Sequence, residues 1–310
     1  MSVYRAESMQ TSQPDSRRIR RITESIIGLP TLPTVVSKMI ELVDNPKTSA
    51  ASLARLISTD QSLTAKVLKL ANSAYYGFSR EISTVNMAIV VMGFNAVRDM
   101  GLSLSVFDVF KEATGTRSFD PTRFWEHSIA CGVAAKVIAR KHHHRFAGEA
   151  FVAGLLHDIG KVVLNQYAHK DFTDIMNRTA QGQPLDEVEL QVVGTSHGEI
   201  GGWLADKWRL PVVISDSIRY HHEPWKSTRN PVLVAIVSLA NYLCHTSNIG
   251  QSGRPTPRVP GEETWKIFRD NDTGIEETDL ENLETEFLLE LDSNDTFLSF
   301  MRADEEDEGA

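Results

Sequence analysis

The stretch LLHDIGK at residues 155–161 decides how the rest of the sequence is interpreted. A histidine and an aspartate stand together at the end of an apolar run, and a glycine and a lysine follow within three residues. Imidazole and carboxylate groups are ligands that divalent zinc, manganese and iron accept in proteins. Because adjacent side chains on a helix diverge, His157 and Asp158 can share an ion only near a helix end, with further ligands supplied by other helices.

The composition is that of an ordinary globular chain without a broad basic face. Of the 310 residues, 41% are hydrophobic and 24% are charged, and the formal net charge is −9, so we expect no nucleic-acid partner. Cys131 and Cys244 are too few for a disulfide framework and suit a reducing cytosol. No apolar run reaches the about 18–20 residues of a membrane span, so no membrane partner is expected. Residues 1–15 are polar, lack a signal-peptide core and are expected to be disordered, which favours a cytoplasmic location.

Helical patterns fill residues 16–112, and no catalytic residue stands out among them. A basic amphipathic segment at residues 16–27 is interpreted as a surface helix. Apolar positions then recur three and four residues apart in Val35–Val43, in Leu53–Ile57 and again after the cap residue Asp60. Turn pairs between alternating apolar runs, which would mark hairpins, are absent. We therefore predict an all-α N-terminal lobe over this part of the chain.

A second helical lobe is predicted over residues 113–250. Residues 113–119 are interpreted as a linker, and Asp120-Pro121 then begins a helix with an acidic cap and a proline in the first turn. Further helical patterns follow at residues 146–157, 158–168, 184–194, 197–208, 211–222 and 231–246. Residues 251–310 are predicted to contain a loop, C-terminal helices and an acidic tail.

Several histidines of the second lobe fall on inner faces or at helix ends. His127 lies on the apolar stripe of the helix that begins at residue 121. The sequence SHGE at residues 196–199 fits a capping box, which puts His197 in the first turn of a helix. His221 and His222 end a helix that the following proline stops. Together with the His157-Asp158 doublet, these residues predict a shared metal-type pocket.

Each of these residues also has a purely structural explanation, since a single inward histidine is more often a hydrogen-bonded core residue than a ligand. Asn241 lies in an otherwise apolar helical segment and needs a hydrogen-bond partner, because an unpaired buried amide costs about 1–3 kcal/mol. The cluster His142-His143-His144 and the single residues His169 and His245 are interpreted as exposed and without function.

Seven motifs together resemble a known family. The N-terminal lobe contains LPTLP at residues 29–33, LARLISTDQSLTAKVLKLANSAYYG at 53–77 and STVNMAIVVMG at 83–93. The second lobe contains FWEHS at residues 124–128, AGLLHDIGK at 153–161, SHGEIGGWLADKW at 196–208 and YHHEP at 220–224. Over residues 25–247 the chain resembles HDOD domains, bacterial signalling modules of the HD superfamily of metal-dependent phosphohydrolases, related to the HD-GYP phosphodiesterases. This resemblance implies an all-α, two-lobed fold.

The resemblance also implies roles for particular residues, although it implies no reaction. Lys161 resembles the lysine that contacts a substrate phosphate in the related hydrolases. HDOD domains often lack the metal ligands and are usually regulatory or protein-interaction modules. This chain retains more of the set, and the residues that match metal ligands by position are His127, His157, Asp158, His197, His221 and His222.

Three departures from the hydrolase pattern reduce the negative charge that is expected to balance bound metal ions. The final aspartate of the pattern falls on Asn241, whose amide oxygen can ligate but carries no charge. Arg123 stands where two-metal phosphodiesterases often have a glutamate, and the GYP signature is missing after His222. Because two anionic ligands are lost, we expect one divalent ion, such as iron, manganese or zinc, rather than two.

Two functions of different classes follow, and the first is favoured. In the first, the chain is a regulatory module that binds a signalling protein, and its pocket holds a structural metal or senses a ligand such as a nucleotide. The alternative is a metal-dependent phosphohydrolase acting on a nucleotide or cyclic dinucleotide, in which Lys161 steadies the phosphate. A third interpretation is a scaffold whose histidines make only structural hydrogen bonds.

Overall fold

The computed structural model describes residues 32, 34–43, 49–72, 80–110, 119–142 and 147–292. The regular elements within these ranges are helices, which confirms the predicted all-α fold class. None of the helices in the same ranges is long and apolar enough to cross a membrane. The disordered start predicted at 1–15, the surface helix at 16–27, the linker at 113–118 and the acidic tail lie outside the described residues.

The N-terminal helices pack against one another in a continuous apolar core. They are α1 (Thr34–Val43), α2 (Ala50–Ile57), α3 (Gln61–Ala71), α4 (Val85–Met92) and α5 (Phe94–Phe110). The side chains of Ser49, Asp60 and Thr84 accept hydrogen bonds from first-turn amides of α2, α3 and α4. Such caps satisfy amides that have no acceptor within the helix, so the helix starts follow directly from the sequence.

The second group of helices carries the candidate site. It comprises α6 (Pro121–His142), α7 (Ala147–Leu156), α8 (Ile159–Tyr167), α9 (His169–Ala180), α10 (Leu185–Val192), α11 (His197–Lys207), α12 (Val212–Tyr220) and α13 (Pro231–Thr246). The sequence patterns did not predict α9, because only one narrow stripe of it is apolar. That stripe consists of Phe172, Ile175 and Met176, which are buried while most of the helix is polar.

Two helices follow in the C-terminal part. α14 (Glu262–Asp270) packs against α13, and α15 (Leu280–Asp292) packs against α6. The sequence analysis missed α14, an amphipathic helix that buries Trp265 and Phe268 and is otherwise polar. α15 agrees with the helices predicted for the C-terminal part and buries Phe287.

Glycines allow the helices around the site to approach closely. A Cβ atom on Gly154 in α7 would lie 2.6 Å from the carbonyl oxygen of Cys131 in α6. A Cβ atom on Gly160 in α8 would lie 1.9 Å from the carbonyl oxygen of His197 in α11. Both distances are far below a van der Waals contact, so only glycine permits these pairs. Cys131 and Cys244 are buried free thiols.

Candidate metal centre

The helices bring the predicted ligand residues together in one buried place. His157 and Asp158 lie at the junction of α7 and α8, and Asp158 occupies the cap position of α8. Six of the seven predicted ligand residues are at most 6% exposed, and the seventh, His222, is half-buried. The other helices contribute His127 from α6, His197 from the start of α11, His221 and His222 from the end of α12, and Asn241 from α13.

Three imidazole rings converge through their Nε2 atoms, and we call His197, His221 and His222 the imidazole triad. The three Nε2–Nε2 distances are 3.1, 3.2 and 3.4 Å. The Oδ1 atom of Asp158 lies 3.2 Å from Nε2 of His197 and 3.5 Å from Nε2 of His221. An ion that holds nitrogens tetrahedrally at about 2.0–2.1 Å separates them by about 3.3 Å, so the triad fits a divalent ion.

The outer nitrogens of the rings are held by acceptors that fix the ring orientation. Nδ1 of His197 donates to the Glu189 carboxylate at 2.8 Å, and Nδ1 of His221 donates to the carbonyl oxygen of Ile218 at 2.9 Å. A hydrogen on Nδ1 leaves Nε2 as the coordinating atom, which is the usual outer support of a metal-binding histidine. Oδ1 of Asp158 is buried without a hydrogen-bond partner, which is also expected of a ligand atom.

The opposite side of Asp158 is different, and we call the pair His127 and Asn241 the amide side. Nε2 of His127 lies 3.0 Å from Oδ1 of Asn241, so the ring donates its Nε2 hydrogen to the amide oxygen. Nζ of Lys161 donates to Oδ2 of Asp158 at 2.6 Å. His157 lies between the two sides: its Nδ1 bonds the carbonyl oxygen of Gly154 at 2.7 Å, and its Nε2 has no hydrogen-bond partner.

The charges at the centre shift the protonation of the HD doublet strongly. Burial opposes charge on both residues, but each ionised form is stabilised by the other. The Asp158 carboxylate outweighs burial and raises the pKa of His157 to about 10. Burial is likewise outweighed at Asp158, where His157 and Lys161 hold the pKa well below its usual range. In the absence of a metal ion the doublet is therefore an ion pair.

The pKa values of the other histidines shift in one of two directions, depending on the neighbouring groups. Burial lowers the pKa of His221 to about 4 and lowers the pKa values of His127 and His222 well below the ordinary value. At His197, burial is outweighed by the Glu189 carboxylate, which raises the pKa. A carboxylate behind the ring makes Nε2 a stronger ligand, so Glu189 supports cation binding at the triad.

Glu189 is a site residue that the sequence analysis missed. It lies on the buried face of α10, is fully buried, and also accepts the backbone N–H of His197 through Oε2 at 3.1 Å. The available signal was a charged residue in register with the apolar residues Leu185, Val188 and Val192. A carboxylate on such a face needs a buried donor, which could have directed attention to a histidine nearby.

The prediction for His245 is wrong, because this histidine belongs to the surroundings of the centre. It lies one turn after Asn241 in α13, and its ring centroid is 4.9 Å from that of His127. Burial lowers its pKa to about 4, and the nearby Lys161 ammonium adds to the shift. Its Nε2 bonds Oγ of Ser252 at 2.9 Å. The sequence position near a helix end suggested exposure, but the chain after the helix folds back over the ring.

That returning stretch, the 250–258 segment, closes the amide side. Gly250 adopts φ +64°, and a Cβ atom there would lie 2.3 Å from the backbone nitrogen of His127. The backbone N–H of Gln251 donates to the carbonyl oxygen of Arg123 at 2.8 Å. Arg123 donates in turn to the carbonyl oxygen of Gly250 at 3.2 Å through its side chain. Arg123 therefore anchors the segment through both its backbone and its side chain.

His222 connects the triad with the surface. It borders a groove of about 460 Å³ whose wall includes the start of α11 and the end of α12. The charged side chains of this wall pair with one another as Arg219–Glu199, Lys226–Glu223 and Arg258–Asp186. Among the remaining histidines, His169 is exposed as predicted, and the side chains of the His142-His143-His144 cluster lie outside the described residues.

Comparison with known families identifies this arrangement. A profile of the HDOD domain matches residues 29–224, which is more than half of the chain. The chain belongs to the HDOD family. The HDOD match includes the doublet and the imidazole triad, but it ends before Asn241. The helix that completes the amide side and the 250–258 segment therefore lie beyond the matched HDOD residues.

Solved structures share the HDOD fold of this chain. An HDOD domain protein of unknown function from Geobacter sulfurreducens is 29% identical, covers 93% of this chain and 97% of its own, and has a TM-score of 0.75. A Marinobacter aquaeolei VT8 protein, provisionally described as a signal transduction protein, is 21% identical with a TM-score of 0.78, covering 92% of this chain and 64% of its own. A Shewanella amazonensis SB2B protein, provisionally described as a phosphohydrolase, is 20% identical with a TM-score of 0.70, covering 91% and 98%. At such identities the last two show the fold alone.

A curated relative is longer than the stretch that it shares with this chain. An uncharacterized protein of Treponema pallidum (strain Nichols) is 25% identical over 227 residues, which cover 71% of this chain. The same alignment covers only 43% of the relative. The stretch that the two proteins share is therefore less than half of the relative's length.

Proposed function

We propose that this protein is a bacterial signal-transduction module of the HDOD family that acts through a signalling protein partner and holds one divalent ion. The family membership supports the regulatory part of this proposal, since HDOD domains are usually interaction modules. The chemistry of the centre supports the metal part, because three imidazoles and a carboxylate suit iron, manganese or zinc. One ion at the triad would stiffen the helices that present a partner surface.

One observation carries the proposal: the two sides of Asp158 are not equivalent. Oδ1 faces the imidazole triad without a hydrogen-bond partner, whereas Oδ2 is taken by the Lys161 ammonium. On the amide side the Nε2 hydrogen of His127 is directed at Asn241. A second cation there would meet an ammonium group and a neutral amide in place of a carboxylate. Without a second cation, deprotonation of a water molecule is weakly supported, which favours regulation over hydrolysis.

The test is elemental analysis combined with a phosphoester assay on the same preparation. We expect stoichiometric metal in the wild-type protein, none in His197→Ala, and no turnover of phosphodiesters at enzymatic rates by either. His169→Ala is a matched control, because His169 is an exposed histidine outside the centre. Enzymatic turnover that disappears in His197→Ala would overturn the regulatory proposal. Absence of metal from a folded wild-type protein after reconstitution would overturn the metal part.

A metal-dependent phosphohydrolase is the second candidate, and one observation favours it. The groove of about 460 Å³ reaches His222, so a substrate phosphate has a route to the triad from the surface. A bound divalent ion would supply Lewis acidity there. Lys161 is 1% exposed and donates to Asp158, so it would have to leave that carboxylate before it could steady a phosphate.

Lys161→Met separates the two functions. If the protein is a phosphohydrolase, we expect the variant to retain metal and lose turnover, because the phosphate loses its cationic partner. If the protein is a regulatory module, there is no turnover to lose, and removal of the competing ammonium should strengthen metal binding. Elemental analysis and the phosphoester assay on wild type and variant distinguish these outcomes.

A further inference from the structure

A second cavity lies beside the 250–258 segment and next to the groove that leads to His222, with Asp186 and Arg258 bordering both. It measures about 270 Å³, is open on one side and is lined by the end of α9, the start of α10 and residues 254–258. Its charged lining residues are Arg254, Arg258 and Asp186. Nη2 of Arg254 and Nη1 of Arg258 donate to the two carboxylate oxygens of Asp186 at 2.5 and 3.1 Å. Two guanidinium groups thus share one carboxylate, and the lining has an excess positive charge.

Two donors at this cavity have no acceptor. Thr179 is 1% exposed, and its Oγ1 atom has no hydrogen-bond partner. Nε of Arg254 is also buried without a partner, because the bond to Asp186 uses the Nη2 atom. Buried hydroxyl and guanidinium donors are rarely left unpaired, since each loses its bonds to water on burial. Both donors therefore indicate a ligand that accepts hydrogen bonds.

The start of α10 adds a third source of donors. Pro184 occupies the cap position and no side chain caps the helix, so the first-turn amides have no acceptor from a cap. The positive end of the helix dipole points the same way as these amides and favours an anion. Gln183, Pro184 and Leu185 all border the cavity. The helix start thus borders the same space as Thr179 and Arg254.

We propose that this cavity binds a phosphate group. A tetrahedral oxyanion can accept from the Arg254 Nε–H, the Thr179 hydroxyl and the α10 amides at once, which a flat or monodentate acceptor cannot do. The cavity is larger than a phosphate, so either free phosphate or the phosphate of a small organic ester can be the source. The proposed site is next to the groove that leads to the metal centre, but none of the predicted metal ligands lines it, and it requires no metal.

Binding here would be transmitted to the metal centre through the 250–258 segment. Arg254 is two residues after Ser252, whose hydroxyl bonds His245, and four residues after Gly250, which packs on His127. A phosphate that accepts a hydrogen bond from Arg254 competes with Asp186 for the same guanidinium group. This role as an input to the module rests on the proposed regulatory function, whereas phosphate binding itself does not.

Isothermal titration of the full-length, chelator-treated protein with inorganic phosphate tests the site without the metal centre. We expect saturable binding that weakens by at least about tenfold in Arg254→Gln and in Thr179→Val, because each loses a hydrogen bond to a charged ligand. Asp186→Asn should bind more tightly, since the competing carboxylate is gone. Arg269→Gln removes an exposed arginine of α14 and should bind as wild type does.

The outcomes are separable from those of the metal proposal. Thr179→Val is nearly isosteric, so it keeps the test valid if Arg254→Gln does not fold. No phosphate binding by the folded wild-type protein overturns the site, as does binding by both Thr179→Val and Arg254→Gln that is as tight as that of the wild type. Titration with adenosine monophosphate in parallel distinguishes the sources: tighter binding than phosphate indicates an ester, and weaker binding indicates free phosphate. Loss of binding in His197→Ala, with Thr179→Val unaffected, would instead move the phosphate to the metal centre and refute the proposal.

Discussion

The imidazole triad and the amide side share one carboxylate but differ in the atoms that face it. In the triad, three Nε2 atoms lie 3.1–3.4 Å apart, and the outer nitrogens of two rings are held by fixed acceptors. On the amide side, the Nε2 hydrogen of His127 is already donated to Asn241, and the Lys161 ammonium occupies Oδ2 of Asp158. This difference shows that residues of ligand type form a cation site only under two conditions. The coordinating nitrogens must carry no hydrogen, and no cationic side chain must compete for the carboxylate.

The most direct test of the difference between the triad and the amide side removes one imidazole ring from each. We expect His197→Ala to lose the metal entirely, because it removes a triad nitrogen and leaves Glu189 without its partner. His127→Ala should retain the metal, since His127 donates to Asn241. Elemental analysis of both purified variants is the measurement. Equal loss of metal from the two variants would place the ion between the sides and refute the distinction.

Glu189→Gln tests the outer support of the triad. The amide keeps the shape of the side chain but is a weaker acceptor for Nδ1 of His197, so metal affinity should fall by about 10–100-fold. Competition with a chelator of known affinity measures the change. Glu199→Gln is the control, because Glu199 belongs to the same region but pairs with Arg219 at the surface. An unchanged affinity in Glu189→Gln would mean that His197 is not a ligand.

Asn241→Asp sharpens the comparison by making the two sides more alike. The new carboxylate supplies a negative charge beside His127, so a second equivalent of metal should bind, with an affinity about tenfold or more above that in the wild type. Elemental analysis at increasing metal concentration shows whether a second equivalent appears. Gain of phosphoester turnover by this variant would indicate a decayed enzyme, whereas a second ion without turnover would favour pure regulation.

The smallest expected effect concerns how the stability of the metal-free protein depends on pH. Burial lowers the pKa values of His127, His221, His222 and His245, and His221 falls from the ordinary 6.5 to about 4. Below pH 6.5 the unfolded chain binds protons that the folded protein does not, so the free energy of unfolding should decrease as the pH falls from 6.5 toward 4. The slope is about 1.4 kcal/mol per pH unit for each such group at most.

The rings with raised pKa values do not change that sign. His157 and His197 are protonated in both states below pH 6.5, so their contribution is constant there and is lost only as the pH rises above this value. Thermal unfolding of chelator-treated protein between pH 5 and 7 measures the dependence. His221→Gln should flatten it, while His169→Gln should not. A stability that rises on acidification would contradict the assignment of neutral buried rings.

Local sequence signals predicted much of the fold and several site residues. The cap at Ser196 correctly placed His197 at a helix start, and its hydroxyl accepts the amide of Glu199 at 3.2 Å. The need of Asn241 for a partner was correctly inferred, and His127 supplies it. These predictions succeeded because each depends on residues within one helix or on a cost that burial imposes regardless of the partner.

Other features depend on packing between distant segments and could not be read from local patterns. His245 was predicted to be exposed because nothing within α13 reveals that residues 250–258 return over it. The bond between Lys161 and Asp158 is local, but the burial that makes it strong comes from the surrounding helices. Glu189 and His197 lie on different helices, and the bond between them forms only when α10 and α11 pack together.

The shared carboxylate of Asp158 has a consequence for how the protein would respond to metal supply. Because the same side chain faces both sides, an ion at the triad withdraws negative charge from the amide side, and occupancy of one position opposes occupancy of the other. Loading would therefore be anticooperative, with a broad plateau at one equivalent as the free metal concentration rises. A centre of this kind keeps a constant composition while the metal concentration around it varies.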